Sequence, residues 1–276
     1  SLAGRSGIFS YFGSFTDRSE EGIVLQNDFV RRSVRANFDA VPNDQLKLSV
    51  STNYIVSENK RPQNDNNIQG WMGNTILYHT PYAFTDSSAI AALSNTINSN
   101  RFIGSANLTY TPDWLPGLTF NGLVGIDAID YTNIAFSPPG FFYPGIEFKG
   151  EKTSFSRMRR QMNYEFNAGY AYDITGAISA VTTVGTQLFN NYTNFSEVTM
   201  QNFGSKKVTN LYGATDFIVS DDGNSDFKEA GVFFNQDFNF YDRYFLTLGM
   251  RNDYSSVIGE EAPSIFYPRV SGAEIG

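Results

Sequence analysis

Two stretches decide the fold: DFVRRSVRANFDA at 28–40 and RRQMNYEFNAGYAYD at 159–173. In the first, Val30, Val34, Ala36 and Phe38 fall on every second residue, with Arg31, Ser33, Arg35 and Asn37 between them. In the second, Met162, Tyr164, Phe166, Ala168, Tyr170 and Tyr172 alternate with Gln161, Asn163, Glu165 and Asn167. A period of two puts each set on its own face of a strand. Residues 45–57 repeat the pattern: Leu46, Leu48, Val50 and Tyr54 oppose Lys47, Ser49, Ser51 and Asn53.

Working outward, the alternation predicts about ten strands, near 7–17, 28–40, 45–57, 101–112, 117–131, 157–173, 176–191, 228–241, 243–255 and 265–275. Most exceed the five or six residues usual in globular domains. Four connections are tight, at 42–44, 112–117, 173–176 and 241–243. Five are long, at 18–27, 58–100, 132–156, 192–227 and 256–264, and the two kinds alternate along the chain. All tight turns then lie on one side of the sheet and all long loops on the other. Outer-membrane barrels have this asymmetry, with their long loops extracellular. A soluble sandwich also alternates apolar and polar residues, but nothing sorts its loops by length.

Composition agrees. Of 276 residues, 41% are hydrophobic and 17% charged, below the roughly 25% charged of soluble domains. The difference is filled by 25 Phe and 16 Tyr. A net charge of -8 argues against a nucleic-acid partner. Cysteine is absent, which excludes disulfides, thiolate nucleophiles and Cys-ligated zinc. No apolar run reaches the roughly 18 residues of a membrane-spanning helix, whereas a membrane-spanning strand needs only about 9 to 11. The chain begins at SLAGRSGIF without an initiator Met and ends inside an alternating run at PRVSGAEIG, so we expect a piece of something longer.

The faces follow: the apolar rows meet lipid and the polar rows a water-filled or plugged lumen. Arg32 and Arg160 break this, both falling on the lipid face. Each opens a strand that starts from a long loop, so both are expected at the extracellular rim, where an arginine costs about 0–1 kcal/mol instead of about 2–4 at the midplane. The alternative is that either strand is phased one residue differently.

The loops offer few chemical groups. Residues 58–100 combine a polar stretch, the ring-rich WMGNTILYHTPYAF and SSAIAALSNTIN, which reads as a short helix started by Ser87 or Ser88. Pro138, Pro139, Gly140 and Pro144 stiffen a turn that presents Phe141, Phe142 and Tyr143. Trp71, Tyr78, Tyr82, Phe141, Phe142 and Tyr143 are the candidate ligand-facing residues; the alternative is that these rings fold back on the barrel mouth. His79, the one histidine, has no serine motif near it, and DDGNSD at 221–226 lacks the spacing of a calcium loop, so it reads as a solvated acidic loop. No phosphate-binding glycine motif is present. The residues predict no catalytic, cofactor or metal site.

Several segments resemble a known family. SYFGSFTDRSEEGIVLQNDFVRRSVRANFDAVPNDQLKLSVSTNY (10–54) is similar to barrel strands of the SusC/RagA-type TonB-dependent outer-membrane transporters. FNFYDRYFLTLGMRNDYSSVIG (238–259) resembles that family's strand closing on Arg-x-Asp-x-Ser-Ser, and FYPRVSGA (266–273) the strand that follows it. Tyr254 stands where the family pattern suggests glycine, which puts the turn geometry there in question. The resemblance implies an all-β, antiparallel transmembrane barrel: residues 1–276 would be a portion of a 22-stranded barrel domain whose plug and remaining strands lie outside this chain. It also implies import of oligosaccharides or peptides across the outer membrane of a Gram-negative bacterium. The implied partners are outer-membrane lipid, TonB acting through the plug, and a SusD-like surface lipoprotein. Two other readings remain: a self-contained ten-stranded barrel, acting as passive pore or surface enzyme, and a soluble carbohydrate-binding sandwich.

Overall fold

The computed structural model describes residues 1–23, 25–62, 91–143, 146–257 and 264–275. One antiparallel sheet dominates, with strands β1 (Leu2–Ser6), β2 (Phe9–Glu21), β3 (Asp28–Asn43), β4 (Leu46–Lys60), β5 (Ser94–Tyr110) and β6 (Leu118–Ser137). It continues through β9 (Glu151–Thr175), β10 (Ile178–Phe203), β11 (Ala214–Phe240), β12 (Tyr244–Ser255) and β13 (Ile265–Glu274), while β7 (Phe141–Tyr143) and β8 (Ile146–Phe148) form a separate hairpin. Neighbours in the sheet are neighbours in sequence, with β1 and β13 as its edges. This simple meander sorts the connections by side as the alternation of tight and long predicts.

The sheet is a single layer. Its accessible surface is 17331 Å², against about 11,900 Å² for a globular protein of this mass. No second sheet packs on its faces among the described residues, which removes the sandwich. Large apolar side chains stay exposed on one face, Phe166 at 51% and Val184 at 48%. A sheet whose apolar face has no protein partner needs another apolar medium.

Register keeps the two faces separate across the whole sheet. Val34 pairs with Tyr54, Tyr54 with Phe102 and Phe102 with Ala128, all apolar, while Arg35, Asn53 and Ile103 run alongside on the other face. The apolar band covers 102–110 in β5, 118–128 in β6, 162–172 in β9 and 230–240 in β11, the length of a membrane-spanning strand. In β5 the band ends at Tyr110, whose register row continues through Phe120, Ala168, Val184, Phe234 and Met250. In β12 it ends six residues past that row, at Tyr244. Such a drift over five strand steps corresponds to a tilt of about 40°, within the range of outer-membrane barrels. Rings mark this lower border: Tyr110 beside Phe120, Tyr170 beside Tyr172, and Phe238 beside Phe240, with centroids 6.3, 5.3 and 6.0 Å apart.

The sequence reading differs from the structure in four places. The sheet has eleven strands instead of about ten, because a further strand, β1, precedes the expected strand at 7–17, which is the start of β2, and a turn at Gly7 (φ 58°) joins the two. Much of the expected 192–227 loop is strand, including DDGNSD, which pairs with residues 192–197 of β10. Residues 94–98, expected to be helical, belong to β5. Tyr254 lies within β12 opposite Ala230 and not in a turn, so the missing glycine has no consequence there. The tight turn at 241–243 is a different surprise: Tyr241 and Asp242 both take positive φ, 57° and 52°, as a hairpin turn of the type favoured by strand twist requires.

Candidate functional site: the polar wall

The polar face of β2 to β13 is where a water-soluble ligand would be met. Its central part is a continuous hydrogen-bonded chain. Thr109 Oγ1 donates to Asn121 Oδ1 at 2.9 Å, and Asn121 Nδ2 donates to Asn167 Oδ1 at 3.1 Å. Asn167 Nδ2 and Gln187 Nε2 then donate to the two oxygens of Glu165, at 3.4 and 3.0 Å. Arg251 closes the chain, with Nη1 donating to Gln187 Oε1 at 2.6 Å and Nε to Asp253 Oδ1 at 2.7 Å. In this way the Arg-x-Asp spacing of the 251–256 motif becomes an ion pair on one face of β12.

Arg251 reaches Gln187 by crossing β11, and Gly231 makes the crossing possible. Gly231 pairs with Gln187 on one side and Asp253 on the other, and a Cβ there would collide with both the Asp253 carboxylate and the Arg251 guanidinium. A pocket of about 290 Å³ opens beside this crossing, lined by Asn163, Glu165, Phe189, Glu229 and Arg251 among others. A larger groove of about 600 Å³ lies on the apolar face between Leu108, Phe120, Phe166 and Val232. That groove faces lipid and is no candidate for polar cargo.

Further toward the long-loop end, charge changes character. Three successive register rows of the polar face carry Arg18, Arg31, Arg35, Arg101, Arg157 and Arg159. The one carboxylate in those rows is Asp127, which accepts from Arg101 Nε at 2.8 Å. Rings accompany them: Tyr131 and Phe195 flank Phe155 with centroids 6.0 and 6.4 Å away, and the Arg157 guanidinium sits 5.1 Å over Phe155. Phe195 can lie over β11 because its register partner is Gly223, where a Cβ would stand 2.9 Å from the ring.

Arg32 and Arg160 share the apolar face with their neighbours, so the expected phasing is the observed one. Both stand at the loop-end border of the apolar band beside carboxylates of the same face, Arg32 3.5 Å from Asp17 and Arg160 2.7 Å from Asp130. Of the candidate ligand residues, Trp71, Tyr78 and Tyr82 lie outside the described residues, as does His79. Phe141, Phe142 and Tyr143 form β7, paired with β8 in the hairpin between β6 and β9. At the root of that hairpin Phe136 and Phe203 are buried against each other, ring centroids 5.3 Å apart. The sequence reading put Arg31, Arg35 and Glu165 on the polar face but missed the convergence of the arginines. Their parity was visible, but their grouping depends on register between strands far apart in sequence.

Known proteins share this geometry. Over 99% of its length the chain is 25% identical to TonB-dependent receptor P26 of Formosa agariphila, covering 29% of that protein. It superposes on the RagAB peptide transporter with a TM-score of 0.81 at 17% identity, over 98% of this chain and 33% of that one. The chain has the fold of a TonB-dependent receptor barrel and superposes best, among these, on the RagAB transporter. More distant receptor barrels superpose less closely: FpvA of P. aeruginosa at a TM-score of 0.61 and the ferric citrate transporter FecA at 0.57, with 13% and 12% identity, over 99% and 98% of this chain and 38% and 36% of theirs. No family model matches the chain. The chain thus spans about a third of the length of the receptors it resembles.

Proposed function

We propose that this barrel wall belongs to a receptor that imports large nutrients, oligosaccharides foremost, across the outer membrane of a Gram-negative bacterium. TonB would drive import through a plug domain, with a SusD-like surface lipoprotein as partner and residues 1–276 as one portion of the barrel domain. The observation that carries this reading is the two-faced single sheet: an apolar band of membrane-spanning length tilted by about 40°, backed by a polar wall with a linked hydrogen-bond chain. An open sheet of eleven strands leaves unpaired backbone groups at β1 and β13, which lipid does not tolerate, so a closed barrel needs further strands. That favours the larger barrel over a ten-stranded pore or surface enzyme. The rings of Trp71, Tyr78, Tyr82, Phe141, Phe142 and Tyr143 are proposed to meet ligand at the loop end.

A second reading, peptide cargo, draws on the similarity to a protein described as a peptide transporter. Deleting the gene for the full-length receptor is expected to abolish growth on one polymeric nutrient while leaving growth on its monomer intact. Dissipating the proton gradient should stop uptake in the intact strain. Growth unchanged on glycans and peptides alike would overturn the import reading.

A further inference from the structure

We infer that the arginine belt of the polar wall is a binding site for an anionic oligosaccharide, one bearing carboxylate or sulfate groups; this deepens the import reading and rests on it. The chain carries a net charge of -8, yet the three belt rows hold six arginines against one carboxylate among the described residues. Arg101 is neutralised by Asp127 and Arg18 by Glu20. Arg31, Arg35, Arg157 and Arg159 make no salt bridge among the described residues, and of these only Arg159 is near enough to Asp127 to stabilise its charge. The flanking rows of the same face are acidic, with Glu20, Glu197 and Asp221 toward the loops and Glu229 toward the membrane. The wall potential therefore changes sign on either side of the belt, and an anion is held at one level.

Position separates this site from lipid phosphates. Arg32 and Arg160 stand on the apolar face, where headgroups are, whereas the belt arginines point to the opposite face. The belt lies at the loop-end border of the apolar band, where incoming cargo first meets the wall.

The remaining side chains argue for sugar over peptide. Tyr131, Phe155 and Phe195 offer ring faces, and Ser57, Ser99, Gln161 and Thr193 in the same rows offer hydroxyl and amide groups for sugar hydroxyls. One mode of reading an extended peptide is addition to a free strand edge, and from β2 to β12 every strand of the sheet is paired on both sides.

The test uses the full-length receptor with its native partner, in detergent, titrated with hexagalacturonate, a heparin hexasaccharide, neutral maltohexaose and hexaglutamate. At least one anionic glycan is expected to bind, and more weakly as salt rises. Its dissociation constant should increase about tenfold for each of Arg157→Gln and Arg159→Gln, with folding of each variant checked by its unheated-gel mobility. Arg32→Gln, on the other face, should leave binding unchanged. Preference for maltohexaose, or anionic binding indifferent to both belt variants, overturns the belt as an anion site. Binding of hexaglutamate alone overturns the sugar assignment. If neither glycan nor peptide binds and the gene deletion leaves growth on both untouched, the import reading itself fails; growth that depends on the receptor only for neutral glycans sinks the belt alone.

Discussion

The lower and upper halves of β9, β10 and β11 are the same strands in two solvents. Residues 162–172 carry an apolar residue at every second position throughout, and 230–240 do so except at Gln236, which bonds to Thr182 on the apolar face, with Phe233 on the polar one. The upper parts, 192–203 of β10 and 214–227 of β11, pair just as continuously but contain SDDGNSD and TNFSEVTMQN. Their ladder breaks only at the bulge between Thr199 and Met200. Below, one face must satisfy lipid, so every second residue is constrained. Above, both faces meet water and only the backbone ladder is required. Alternation reports the medium on the apolar face and not the presence of a strand.

The sharpest way to break this comparison is to place one charge on the same face at two heights. Val124→Arg, in the middle of the β6 band, should cost the full-length receptor about 2–4 kcal/mol, and Ser196→Arg, on the upper part of β10, about 0–1. Urea titration of folding into phosphatidylcholine vesicles would measure both. Equal costs would mean that the apolar band does not mark the hydrocarbon layer.

A smaller effect tests the polar side. Gly231→Ala is expected to push Arg251 away from Gln187 and cost about 1–3 kcal/mol, the penalty for stranded charged and amide groups. In an Arg251→Gln background the same substitution should cost much less, because the crossing is already gone. Additivity of the two changes in the same titration would show that Arg251 does not cross over Gly231.

The smallest effects belong to the border arginines. Arg160→Gln, which loses a 2.7 Å partner in Asp130, should cost up to about 1 kcal/mol, and Arg32→Gln, 3.5 Å from Asp17, less. A cost above about 2 kcal/mol at Arg160 would place it within the hydrocarbon layer and shift the assigned border of the band.

Much of the fold was legible because the membrane writes itself into the sequence. Lipid on one side forces the period of two in 28–40, 45–57 and 157–173, and a meander forces short and long connections to alternate. Arg32 and Arg160 could be placed at the rim because an arginine deep in the apolar face would be too costly. The 94–98 stretch was misread because SSAIAALSNTIN carries a helix-like composition that pairing with β4 overrides. The upper strands were misread because water imposes no pattern. For the candidate site the sequence determined which residues are polar and which face they share, since face follows from parity alone. Only the tertiary structure decided which of them meet: the row that joins Arg31 to Arg157, the reach of Arg251 across Gly231 to Gln187, and the pairing of Arg160 with Asp130. The physical reason is register. Parity is local and repeats every two residues, whereas register depends on the length of every turn and loop between the strands and on the ladder that pairs them.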